Sequence, residues 1–160
     1  MIEKMKFLSI TGPKTDIDRV VNTYLSKYEI HLENYCKVLH IEALTMLDMA
    51  KKDIMPAIAR YMYDLSQTAL SKKALLSQVN CDMEEGLLTR LAALSGSLYK
   101  KTEALNTSLL EVKNHEATPQ QLALYYKETI FGAMQELRAV ADELEANTAE
   151  SLWPFPSYGK

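Results

Sequence analysis

The sequence predicts a mainly α-helical fold, an antiparallel bundle of three to four long helices, preceded at most by a small N-terminal β-α-β element. Apolar residues recur at helical spacing from Asn34 onward. Leu91, Leu98, Leu105 and Val112 lie seven residues apart, which is typical of a bundle seam. Gly and Pro number only five each in 160 residues. The connections should therefore be short, which favours antiparallel packing of neighbouring helices.

The N-terminal 33 residues predict a separate β-α-β-like segment. KMKFLSIT (4–11) is rich in strand formers, and a helix capped by Thr15 should follow Gly12-Pro13. YEIHLE (28–33) alternates apolar and polar residues, as a half-buried strand does. Its apolar residues also continue at helical spacing into Tyr35 and Leu39, so strand and helix both remain open there. Residues 34–160 form the second predicted unit, the helical bundle.

Three boundaries divide that unit. Pro56 lacks a backbone donor and crowds the preceding turn, so we predict a helix break near Asp53, with Asp53 capping the next helix. Asp82 and Glu85 form a variant capping box that starts a helix running to about Val112. Thr118-Pro119-Gln120-Gln121 predicts the start of the last helix, which should end near Ala149.

Composition excludes several function classes. The net charge is −3, with 18 basic and 21 acidic residues interspersed, so no basic cluster predicts nucleic-acid binding. No stretch approaches the ~18 apolar residues of a membrane span, so we expect no membrane insertion. Cys36 and Cys81 are distant in sequence and form no CxxC pair. With no secretory signal expected, we predict a cytoplasmic protein with reduced thiols.

Catalytic motifs are missing from the sequence. The three histidines, His31, His40 and His115, have no further ligands at metal-binding spacing, and there is no HExxH, GxSxG or glycine-rich phosphate loop. We therefore predict no catalytic, cofactor-binding or metal-binding residues. An independent helical enzyme with an unrecognised metal site is kept as the alternative, to be tested by metal analysis of the purified protein.

The C-terminal strap, SLWPFPSYGK (residues 151–160), combines two prolines with three aromatic residues. Pro154 and Pro156 hold this segment extended. A stiff extended segment loses little entropy on docking, and aromatic side chains make large apolar anchors. We therefore predict a docking strap made of Trp153, Phe155 and Tyr158. It either folds back on its own bundle or anchors into a neighbouring domain or subunit.

Four segments resemble the C-terminal helical region of type III glutamine synthetases, and the likeness runs from Tyr28 to the end of the chain. They are IEALTMLDMAKKDIMPAI (41–58), YDLSQTALSKKALL (63–76), ELRAVADELE (136–145) and ELEANTAESLWPFPSYG (143–159). The resemblance implies a parent enzyme that ligates ammonia to glutamate with ATP and magnesium and assembles as a dodecamer. The family's catalytic residues belong to its upstream barrel region, and none matches here. The implied function is a non-catalytic assembly module whose partners are its own upstream catalytic domain or neighbouring subunits, with homo-oligomers also open.

The first 34 residues, MIEKMKFLSITGPKTDIDRVVNTYLSKYEIHLEN, resemble instead the amino terminus of subunit I of V-type rotary ATPases. This resemblance ends at Asn34 and carries no catalytic residue. It implies the alternative function, a cytosolic fragment that binds stator subunits. Stator binding that survives deletion of residues 35–160 would favour this alternative.

Overall fold

The computed structural model describes residues 13–76, 78–112 and 117–156, and within these ranges it contains helices and no strand. The helices are α1 (Lys14–Met49), α2 (Met55–Leu75), α3 (Asp82–Val112), α4 (Pro119–Tyr125) and α5 (Phe131–Asn147). A short 3-10 turn, Glu150–Leu152, follows. The predicted mainly α class is confirmed.

Of the two alternatives left open for residues 28–33, the helix is correct and the strand is wrong, because α1 runs through this segment and across residues 33–34 without interruption. Tyr28 and Leu32 lie on a helical stripe that continues to the buried Leu39, whereas Ile30 lies off this stripe and is exposed, so the helical period prevails. The strand predicted at residues 4–11 lies outside the described residues. Thr15 is not a cap. Pro13 precedes the helix, and its carbonyl accepts the N–H groups of Asp16 and Ile17.

The break predicted near Asp53 is also wrong, because α1 and α2 form one long helix joined by a π-helical turn, Ala50–Ile54. The N–H of Met55 bonds to the carbonyl of Ala50, five residues back. The widened turn accommodates Pro56, which lies at the start of α2 and needs no donor there. Asp53 makes no capping hydrogen bond.

The second long helix, α3, carries the predicted seam. Leu91, Leu98 and Leu105 have no exposed surface and Val112 is half-buried against the core, so the seven-residue spacing identified the buried face correctly. The start of α3 differs from the prediction in one respect. Asn80, rather than Asp82, supplies the side-chain oxygen, which accepts the N–H of Asp82 at 2.7 Å.

The third long helix begins with the predicted capping box. The N–H of Gln121 donates to Thr118 Oγ1 at 3.3 Å, and the N–H of Thr118 donates to Gln121 Oε1 at 3.0 Å. A second π-helical turn, Tyr126–Ile130, joins α4 to α5. This turn buries both Tyr126 and Ile130.

Where two consecutive long helices contact each other, residues later in the first helix meet residues earlier in the second. In α1–α2 against α3, Lys51 pairs with Glu103 while Lys72, further along, pairs with Glu84. In α3 against α5, Arg90 meets Glu143 at 3.0 Å and Lys101 meets Glu136 at 2.6 Å. The core lies between these helices and consists mainly of leucine, isoleucine and alanine.

Candidate functional site

The described part of the C-terminal strap, residues 151–156, lies against the protein's own core. After α5, the N–H of Trp153 bonds to the carbonyl of Ala149 at 3.1 Å, which turns the chain back. Trp153 and Phe155 are half-buried, pack against the core cluster and meet edge to face with ring centroids 6.3 Å apart. Tyr158, the third predicted strap residue, lies outside the described residues.

An apolar cavity of about 580 Å³ lies beneath the strap. One wall comes from the first π-helical turn and the end of α1, and the other from α5. The strap itself closes one side. The charged side chains of Arg138, Asp142 and Glu145 also line the cavity, and Arg138 pairs with Asp142 at 3.8 Å. The rest of the lining is apolar, so the cavity mainly offers apolar contact. The apolar lining includes Met46, Ala50, Ile54, Leu137, Ala141, Trp153 and Phe155.

A second cavity, of about 560 Å³, brings together Cys36, His40 and Tyr126. The Tyr126 hydroxyl and His40 Nδ1 are 3.0 Å apart, and their rings meet edge to face. Burial raises the pKa of the Cys36 thiol and that of the Tyr126 hydroxyl. The thiol therefore stays protonated at neutral pH and is a poor nucleophile. Sequence reasoning missed this cluster, since Tyr126 is 86 positions from His40.

A buried carboxylate lies where α2 meets α3. Glu84 is 1% exposed, and one of its oxygens accepts a hydrogen bond from Lys72 while Oε2 has no partner. The hydrogen bond from Lys72 holds the pKa of Glu84 below its ordinary value and raises that of Lys72. One carboxylate paired with one lysine holds two helices together, but it provides neither a nucleophile nor a metal site.

The three histidines were the main candidate metal ligands in the sequence. His31 is exposed and His40 is half-buried beside Tyr126, while His115 lies outside the described residues. Among the residues that the structure describes, no three His, Cys, Asp or Glu side chains are grouped to hold a metal ion. Over the same ranges, no helix is both long and apolar enough to cross a membrane.

Comparison with known proteins identifies relatives of this chain. The family model for the glutamine synthetase C-terminal domain matches residues 21–73. A glutamine synthetase of Butyrivibrio fibrisolvens is 40% identical over 137 residues, which cover 84% of this chain and 19% of that protein. This chain is a relative of the glutamine synthetase C-terminal domain.

Two more distant relatives agree. A Bacteroides fragilis glutamine synthetase is 26% identical over 140 residues, covering 82% of this chain and 18% of that protein. A type-3 glutamine synthetase of Dictyostelium discoideum is 24% identical over 138 residues, which cover 84% of this chain and 19% of that protein. The chain thus spans about a fifth of the length of the relatives it matches. No solved structure matches it.

The resemblance of residues 1–34 to the V-type ATPase subunit stays a prediction. The glutamine synthetase family match begins at residue 21, inside that segment. Residues 21–34 belong to the same uninterrupted helix as the matched residues that follow them.

Proposed function

We propose that this chain is a non-catalytic assembly module that corresponds to the C-terminal domain of a glutamine synthetase. The observation that carries the proposal is the match of 84% of the chain to only 19% of the Butyrivibrio fibrisolvens enzyme. The two cavities described above add support, because the one beneath the strap has a largely apolar lining and the thiol in the other is a poor nucleophile. A cytoplasmic location goes with this proposal.

In this proposal the three long helices act as an antiparallel bundle that presents fixed surfaces to the rest of the enzyme. The ion pairs between consecutive helices and the shared leucine core support that arrangement. Trp153 and Phe155 of the strap lie at one side of these helices, and Tyr158 stays a predicted third strap residue. The contacts that Trp153 and Phe155 make with the core favour docking within the chain over docking on a neighbour.

Exchanging the C-terminal segment of the Butyrivibrio fibrisolvens enzyme for this chain tests the proposal. We expect the chimera to assemble and to retain ligase activity, whereas the isolated chain should show no γ-glutamyl transferase activity and no stoichiometric metal. A control chimera carries Leu98→Asp, which places a charge in the buried seam. Turnover by the isolated chain, or an intact chimera that never assembles, would contradict the proposed role.

A further inference from the structure

The first half of α1 carries an apolar stripe with no partner in the described structure. Val21, Leu25 and Tyr28 are 41%, 53% and 50% exposed. No residue between Pro13 and Tyr35 is buried, whereas Cys36 and Leu39 further along the same helix are. The stripe therefore begins where α1 leaves the core.

The stripe has the spacing of a packing surface. It continues through the half-buried Leu32 to Tyr35 and the buried Leu39, in steps of four and three residues. In the second half of α1 this face packs on the other helices, so the exposed part is a direct continuation of an existing contact face. Helices gain most of their stability from packing such a face, and an exposed stripe of this length marks a site for a partner.

The position of the stripe indicates which partner. The matching family model describes a C-terminal domain, and this chain covers only 19% of its Butyrivibrio fibrisolvens relative. About four-fifths of that relative therefore lies outside the match, and because the matching family model is that of a C-terminal domain, we place that remainder mainly on the N-terminal side. The N-terminal side of the match is the end of α1 where the stripe is uncovered.

We infer that the stripe of Val21, Leu25 and Tyr28 docks onto the N-terminal body of a glutamine synthetase polypeptide, through an apolar surface of that body. The inference rests on the proposed function and adds the surface through which the module attaches. It assigns attachment to the exposed half of α1 and stability of the module to the buried half.

Tyrosine nitration by tetranitromethane tests this directly, because the chain contains matched internal controls. Tyr24 and Tyr28 lie at the stripe with exposed fractions of 57% and 50%, and Tyr63 and Tyr99 lie elsewhere with 59% and 58%. All four should react at similar rates in the isolated full chain. In the chimeric enzyme we expect the rates at Tyr24 and Tyr28 to fall several-fold while those at Tyr63 and Tyr99 change little.

Leu25→Asp provides the matching variant, with Leu70→Asp as its control because Leu70 is equally exposed on α2. Leu25→Asp should leave the isolated chain folded and restore nitration of Tyr28 in the chimera, and Leu70→Asp should not. An assembled, active chimera in which Tyr24 and Tyr28 stay as reactive as Tyr63 overturns the inference and leaves the proposed function standing. Protection already present in the isolated chain, with a dimeric mass by light scattering, overturns it in favour of a second copy. A chimera that fails to assemble contradicts both the proposed function and the inference about the stripe.

Discussion

Glu84 is a charged residue in the interior of the fold, where it pairs with Lys72 across the connection between α2 and α3. The hydrogen bond from Lys72 lowers the pKa of Glu84 from its ordinary value of 4.5. A carboxyl whose pKa is lower in the folded state stabilises the fold above its unfolded pKa. That contribution is lost as the pH falls below 4.5 through the folded value.

Glu84→Gln should therefore lower the urea midpoint of unfolding at pH 7, and the difference from wild type should shrink as the pH falls below 4.5. Urea titrations across this range measure it. Glu85→Gln is the control, because Glu85 pairs with Lys73 on the exposed surface and such pairs contribute little. A deficit that is the same at every pH would mean that the charge of Glu84 is not what stabilises the connection.

Leu98 tests the buried seam, since it has no exposed surface, belongs to the core and lines the cavity beneath the strap. Leu98→Ala should cost about 2–5 kcal/mol in the free energy of unfolding, the usual range for a buried leucine. Leu70→Ala, at an exposed site on α2, should stay within about 0.5 kcal/mol. Equal effects at the two sites, measured by urea unfolding, would show that the seam is not buried in solution.

The burial of individual residues could be predicted from the sequence where their spacing fitted only one type of secondary structure. The seven-residue interval of Leu91, Leu98 and Leu105 has one interpretation, and all three are buried. Pairs joined across the fold could not be read in the same way. Tyr126 and His40 meet because the second π-helical turn directs Tyr126 inward against α1, and no local pattern encodes that contact.

At the scale of the elements, the start of α4 is the clearest local signal that the structure confirms. Thr118→Ala removes the oxygen that accepts the N–H of Gln121, and we expect a loss of about 1 kcal/mol in the free energy of unfolding. Thr107→Ala is the matched control inside α3, where the hydroxyl only bonds back to the carbonyl of Glu103 and alanine has the higher helix propensity. Thermal unfolding of both variants measures the difference. A loss as large in Thr107→Ala would mean that the cap has no special role.

One element was mispredicted and another was left undecided, each for a physical reason. Pro56 indicated a break because proline removes a donor, but a π-helical turn absorbs it and lets Ala50, Ile54 and Ile58 remain on the buried face. YEIHLE left strand and helix both open, because six residues are too few to separate period two from period 3.6. Tertiary contacts at Leu32 and Leu39 favour the helix.

At the scale of the whole molecule, the question is whether the strap stabilises the fold of its own chain. Trp153 and Phe155 pack together and against the core of the same chain. Trp153→Ala should therefore destabilise the isolated monomer, by about 2–3 kcal/mol because a half-buried aromatic loses less than the ~3–5 kcal/mol of a fully buried one.

The exposed Ser151 is the control position for this test, because Ser151→Ala lies in the same segment without contributing an apolar anchor. We expect its thermal midpoint to match that of wild type. If the thermal midpoint of Trp153→Ala also equals that of wild type while the chimeric glutamine synthetase assembles less well, the strap docks on a neighbouring domain or subunit rather than on its own chain. If Trp153→Ala instead lowers the thermal midpoint of the monomer while the chimera assembles as before, the strap stabilises the fold of its own chain. Attachment to the enzyme is then assigned to the exposed half of α1.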